Sequence, residues 1–252
     1  MQPRVIVLVL IGLVGGILSG AFGVGGGIVM VPMLTAFAGV DQRRASAISL
    51  LAILPTSIVG SLTYLAHGEV DVVAGVFIAV GAVVGSIIGS ALLRRISLAV
   101  LRWLFVALLV VVAIRMLFVS PERADPLAFS PLLALGYVVL GLFMGLASGL
   151  LGIGGGAIAV PALVALFGVS DLIAKGTSLL VMIPTSLAGS LTNLRAGLVH
   201  LRSGLTVGIA AAAASIPGVL LALVLPPRLS TVLFAVLLLA VAVQLAVRAL
   251  RH

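Results

Sequence analysis

Two apolar stretches of this chain are too long to cross a bilayer once, and each is interrupted near its middle by a run of glycine. The stretches are residues 4–39 and 131–168, with the interruptions at Phe22 to Gly27 and Leu151 to Gly156. A bilayer core of roughly 30 Å needs ~20 helical residues, and each interior glycine costs a helix ~1 kcal/mol relative to alanine. A helix is therefore expected to stop at each break and a second one to start after it. The interruptions are also copies of one another. GLVGGILSGAFGVGGGIVMVP at residues 12–32 returns as GLFMGLASGLLGIGGGAIAVP at residues 141–161, an offset of 129 residues between Gly12 and Gly141. The same offset carries PTSIVGSLTYL at 55–65 onto PTSLAGSLTNL at 184–194, and Gly89 onto Gly218. The chain is a duplicated unit, expected as a first membrane repeat over 1–119, a linker over 120–130 and a second repeat over 131–252.

The rest of the sequence is as apolar as these stretches. Hydrophobic residues make up 63% and charged residues 8%, against ~25% charged in soluble domains. Further apolar runs cover 44–66, 71–93, 98–119, 173–194, 203–225 and 229–250. The fold class that follows is an all-α polytopic integral membrane protein with two inverted repeats, each a glycine-broken helical hairpin plus three transmembrane helices. Met1 to Ser19 has the outline of a secretory signal, but the segment recurs internally and is read as membrane helix. The absence of cysteine excludes disulfide frameworks and thiolate chemistry. A net charge of +8 would suggest nucleic acid in a soluble protein, but here the arginines sit in short loops between apolar runs, where they set membrane orientation.

That orientation depends on whether each long stretch crosses or turns back. If it crosses, the cationic residues divide seven against seven. If it turns back, Arg4, Arg43, Arg44, Arg94, Arg95, Arg102, Arg195, Arg202, Arg248 and Arg251 fall on one side and Arg115, Arg123, Lys175 and Arg228 on the other. Only the second count satisfies the positive-inside rule. It gives each unit an odd number of crossings, so the two halves are expected to be inverted, with both termini cytoplasmic and the linker external. Inverted repeats with broken helices are a recurring transporter architecture, with the substrate site near the midplane.

At each break a new helix starts with bare backbone N–H groups. An anion satisfies such donors, helped by the helix dipole, and glycine leaves no Cβ in its way. Gly25, Gly26, Gly27, Gly154, Gly155 and Gly156 are therefore the first candidate substrate-binding residues. Gly12, Gly16 and Gly20, their copies Gly141, Gly145 and Gly149, and Gly81, Gly85 and Gly89 have instead the small-xxx-small spacing of packed membrane helices. A hydroxyl stripe runs along the second span of each unit, through Ser49, Thr56 and Thr63 and through Ser178, Thr185 and Thr192. Thr56, Ser57, Thr185 and Ser186 are the candidates here because they adjoin Pro55 and Pro184, each of which frees a backbone carbonyl. The alternative for any such hydroxyl is a bond back to its own helix.

All six acidic residues lie in loops or at segment ends, which argues against a buried carboxylate relay and a cation path. Lys175 is expected to snorkel to the headgroups or to pair with Asp171, and Arg195 to snorkel. His67 and His200 are expected at the interface. No nucleophile set, P-loop or dinucleotide fingerprint is present, so neither an enzyme nor a cofactor or metal site is expected.

With FGVGGGIVMVP and LGIGGGAIAVP, each followed by a PTSxxGS span, the sequence resembles the TauE/SafE family of sulfite exporters and related anion transporters. The resemblance covers nearly the whole chain, its motif falling on Gly23, Gly25 to Gly27 and Pro32 and on Gly152, Gly154 to Gly156 and Pro161. It implies a multi-pass permease of a prokaryotic inner membrane, moving sulfite, sulfoacetate or another organosulfonate. The expected function is secondary transport of a small anion by alternating access. The alternatives are a membrane scaffold or assembly partner and a permease for another small solute. Expected partners are the anion and the lipid bilayer, with no nucleic acid. A coupling ion, proton or sodium, and a homo-oligomer stay open.

Overall fold

A computed structural model describes residues 5–118, 130–199 and 201–250, and every regular element among them is helical. The helices are α1 (Val5–Phe22), α2 (Gly27–Phe37), α3 (Gln42–Ala66), α4 (Val72–Leu93), α5 (Leu98–Phe118), α6 (Pro131–Leu151), α7 (Gly156–Phe167), α8 (Asp171–Arg195), α9 (Leu201–Val224) and α10 (Pro227–Leu250). Both long stretches break where the glycines fall, between Phe22 and Gly27 and between Leu151 and Gly156. Eight of the ten helices are long and apolar enough to cross a membrane, and α2 and α7 are the short ones. Among the sequence-level assignments, linker residues 120–129, Arg4, Arg123, Arg251, Glu122, Asp125 and His200 lie outside the described residues.

Short polar side chains start the long helices. The Asp41 and Asp71 carboxylates accept from the N–H groups of Arg44 and Ala74, and the Ser130 and Ser170 hydroxyls from those of Leu133 and Ile173, satisfying donors that a helix start leaves bare. Pro55 and Pro184 lie inside unbroken helices α3 and α8.

Glycine seams fix how these helices pack. Gly12, Gly16 and Gly20 of α1 lie against the backbone of Val207, Ala211 and Ser215 in α9, so the two run side by side in the same direction. Gly81, Gly85 and Gly89 of α4 meet Val138, Leu142 and Leu146 of α6 in the same way. The contact runs backbone to backbone, as the small-xxx-small spacing predicts. Along α3 and α8 the register reverses: Gly60 faces Leu179, while Gly189 faces Leu50. These two counterpart helices are antiparallel. Gly15 in α1 packs on Met30 in α2, so α2 turns back along α1. The starts of α1 and α3 therefore share one end of the bundle, called the near end below, and α6 and α8 start at the far end. Arg43 ties the near end together, donating from Nε to the Leu93 carbonyl at 3.0 Å and from Nη2 to that of Ile96 at 2.8 Å.

Candidate functional site

Each hairpin tip is a left-handed stretch that only glycine enters without strain. Gly23, Gly25 and Gly26 have φ of 68°, 72° and 73°, and their counterparts Gly152, Gly154 and Gly155 have 70°, 78° and 83°. A side chain at these angles meets its own carbonyl, at roughly 1–2 kcal/mol per residue. The tips also touch. A Cβ on Gly27 would run into the Gly152 carbonyl and Ile153, and one on Gly156 into the Gly23 carbonyl and Val24. Ile53 of α3 and Met182 of α8, each near the middle of its helix, both pack against Gly25 and Gly154. The two tips thus meet at mid-depth of the bundle, with all eleven tip residues from 23 to 27 and from 151 to 156 buried.

Hydrogen bonding at the tips is one-sided. The Ser178 hydroxyl donates to the Gly23 carbonyl at 3.0 Å, and its counterpart Ser49 donates to the Gly152 carbonyl at 2.8 Å. Each serine belongs to one half of the chain and holds the tip of the other. Ser46 takes the Leu151 carbonyl at 3.0 Å, and the buried Tyr64 hydroxyl takes that of Gly20 at 2.8 Å. The side chains here serve carbonyls and never the N–H donors, while the carbonyls of Val24, Gly25, Ile153 and Gly154 have no donor among the described residues. The N–H groups of Val24, Gly25, Gly26, Gly27 and Ile28 find no acceptor among the described residues, nor do those of Ile153, Gly154, Gly155, Gly156 and Ala157. The caps Gly26 and Gly155 offer no side chain for them. Donors of this kind in a dry interior cost several kcal/mol each unless something binds them, and two helix N-termini aim positive dipole ends at the same place.

Two further hydroxyls belong to this arrangement. Ser19 and Ser148 are fully buried, and neither oxygen has a hydrogen-bond partner. Each lies one turn beyond a residue, Gly15 or Met144, that its own hairpin's first returning turn packs against. The two hydroxyls therefore sit inside the hairpins, just beneath the tips. Sequence reasoning passed over them because they stand within the seam motif, although their exact repetition is visible in the copied segments.

The proline-adjacent hydroxyls are placed differently. Thr56, Ser57, Thr185 and Ser186 are buried within about a turn of Ile53 and Met182, and their protons go to the carbonyls of Ala52, Leu54, Val181 and Met182, at 2.8, 3.0, 2.7 and 2.6 Å. They present lone pairs at this level and no donor. Thr63 and Thr192 bond back in the same way.

Lys175 corrects a sequence expectation. It does not snorkel: only 2% exposed, it places its ammonium 2.6 Å from the Asp171 carboxylate and 2.8 Å from the Ser230 hydroxyl of α10. The carboxylate one turn earlier and the Ser230 hydroxyl together satisfy the ammonium inside the bundle. Its backbone also supports the first tip, since a Cβ on Gly23 would strike it. Arg195 is exposed, and exposed His67 bonds through Nδ1 to the Thr63 carbonyl at 2.8 Å. Among the described residues no three His, Cys, Asp or Glu side chains gather as a metal site would need.

Two cavities open away from the tips. One, of about 200 Å³, lies at the far end and is lined by Arg115, Val164, Ala165, Asp171 and Thr231 among others. The other, of about 290 Å³, lies at the near end between Thr35, Ala36, Gln42 and Arg102. Thr35, Ala36, Gln42 and Arg102 are the counterparts of Val164, Ala165, Asp171 and Thr231 at the 129-residue offset. The same place in each half is hollow, once at either end.

A family model described as Sulfite exporter TauE/SafE matches residues 1–133 and 137–252. The chain is 26% identical over 219 residues to the probable membrane transporter protein YunE of Bacillus subtilis, covering 77% of this chain and 80% of that one. To the probable membrane transporter protein YdhB of the same organism it is 28% identical, over 73% of this chain and 76% of the relative. The probable membrane transporter protein MJ0441 of Methanocaldococcus jannaschii is 36% identical across 43% of this chain and 44% of its own.

Proposed function

The chain belongs to the TauE/SafE sulfite exporter family of multi-pass membrane transporters, and from that premise we propose that it moves a small sulfur-containing anion past the two meeting glycine tips by alternating access. The observation that carries the proposal is the one-sided tip: buried N–H donors without acceptors, beside carbonyls already held by Ser49, Ser178 and Ser46. Ten bare N–H groups under two helix N-termini favour a negative ligand over a cation. Gly25 to Gly27 and Gly154 to Gly156 form this surface. Thr56, Ser57, Thr185 and Ser186 shape its walls.

Inverted repeats over 1–119 and 131–252, joined at 120–130, are part of the proposal. Antiparallel α3 and α8 support them, as does the exchange of partners by which α1 packs on α9 while α6 packs on α4. The near end carries Arg43, Arg44, Arg94, Arg95, Arg102, Arg195 and Arg202, against Arg115, Lys175 and Arg228 at the far end. That imbalance supports a cytoplasmic near end, with both termini inside and the protein in a prokaryotic inner membrane. A hollow at the equivalent place in each half, one at either end, is in keeping with such an inverted arrangement.

Flux into proteoliposomes of purified protein tests the proposal, using sulfite, an organosulfonate, chloride and a cation control. Saturable movement of the sulfur anions is expected, and Gly154→Ala should lower it by about tenfold, as losing one close donor contact would. The methyl of that variant meets only side-chain atoms of Met182 and Ile53 and adds left-handed strain of roughly 1–2 kcal/mol, so the protein should still purify, with a somewhat lower Tm than the parent. Flux confined to the cation, or undiminished anion flux in Gly154→Ala, would overturn the proposal.

A further inference from the structure

The charge of the ligand follows from what surrounds the tips. Among the described residues no cationic side chain stands at the level of Ile53 and Met182. Every described arginine lies in a loop or within five residues of a helix end, and the one deeply buried cation among the described side chains, Lys175, is already neutralised by Asp171 at 2.6 Å. The positive character of the site comes from the two helix N-termini alone, each equivalent to roughly half an elementary charge. Together they offset about one negative charge. Desolvation weights the same choice, because the cost of carrying an ion out of water grows with the square of its charge. A dianion meets a far steeper cost than a monoanion and finds no more compensation.

Ser19 and Ser148 say more about the shape of the ligand. They are fully buried and unpartnered, repeated at the same place in each half, and stand one turn past Gly15 and Met144 on the helix face that the returning helix covers. With the N–H groups above them they form two facing sets of donors. A ligand with several acceptor oxygens diverging from one centre bridges both sets, and a spherical halide does not.

Resting on the proposed anion reading, we infer that the site selects a singly charged oxyanion of the sulfonate type, R–SO₃⁻ or its hydrogensulfite equivalent, and excludes dianions of the same size, with Ser19 and Ser148 as direct ligands. Selection acts on the charge carried by the one oxyanion group that the tips hold. A group that is doubly ionised at that centre is carried only after taking up a proton in solution.

Equilibrium binding to the purified full chain tests this with three probes: methanesulfonate, which carries one charge; sulfate, which carries two; and methylphosphonate, whose second proton leaves near neutral pH. Methanesulfonate should bind at least about tenfold tighter than sulfate. Methylphosphonate affinity should fall as pH rises through its second ionisation, with methanesulfonate affinity flat across the same range as the control for titration of the protein. Ser19→Ala and Ser148→Ala should each weaken methanesulfonate while eluting as the parent does. Sulfate binding as tightly as methanesulfonate, or methylphosphonate tightening with pH, would overturn the charge selection and leave the anion site standing. Parental affinity in both serine variants would remove them as ligands. Binding of none of the three probes would bring down the anion reading itself.

Discussion

At equivalent positions the two halves of the molecule agree in the middle and part company at the ends. Gly23 to Gly27 and Gly152 to Gly156 have the same backbone, the same bare donors and the same kind of clamp, a serine from the other half. Two turns from the clamp the likeness stops. In α8 the first turns carry Asp171 and Lys175, paired and tied to Ser230; at the counterpart positions stand Gln42, Ser46 and Leu101. In the proposed reading a ligand at the centre would meet both tips at once, so a change in either tip would disturb the same contact. The ends meet different surroundings, and nothing compels them to match. Divergence between the halves therefore separates the region where the tips touch from the two ends.

The largest effect expected from this difference is at Lys175. Lys175→Met leaves the half-buried Asp171 carboxylate without its partner, at a cost of about 2–3 kcal/mol, whereas the double variant Lys175→Met with Asp171→Leu should return to within about 1 kcal/mol of the parent. Ser46→Ala, at the counterpart position, loses one hydrogen bond, roughly 1 kcal/mol. Unfolding in detergent measures all three, and equal losses at Lys175 and Ser46 would break the comparison at its asymmetric end.

A middle-sized effect tests the symmetric end. Ser49→Ala and Ser178→Ala each release one tip carbonyl, at roughly 0.5–1.5 kcal/mol, and should lower anion flux by up to about tenfold. The two should match. A large loss in one variant with none in the other would mean that a single tip does the binding.

Smallest of all should be Thr56→Val and Thr185→Val. Their protons already serve their own helices, so flux is expected to stay within about twofold of the parent. A greater loss in either would bring the hydroxyl stripe into the site as a ligand.

The contrast also explains which features were legible in the sequence. The breaks at Phe22 to Gly27 and Leu151 to Gly156 were readable because glycine density acts locally, through a penalty each residue brings to its own helix. The seam glycines were readable because their spacing is a property of one helix. The Lys175–Asp171 pair was readable as an alternative to snorkelling because the two stand one turn apart, but the second partner, Ser230, was not, being 55 positions away in another helix. Ser49 and Ser178 were visible as members of a stripe, but their targets are carbonyls in the other half. That pairing comes from helix packing, which no local pattern records. Ser19 and Ser148 looked like small seam residues. Their role is seen only once the returning helix covers them.

The glycine seam between α1 and α9 has a consequence for how the protein is made. Helix α1 is synthesised well before α9, yet it carries a face cut to the shape of that later helix. Until α9 is made, Gly12, Gly16 and Gly20 face lipid or the insertion machinery with no surface that fits them, and the first tip has no opposing tip to rest on. The first half inserts as a collection of helices awaiting a mate. The long-range contacts that close the bundle form only once the second half has followed, when one half threads its hairpin against the other's spans and the two become a single body.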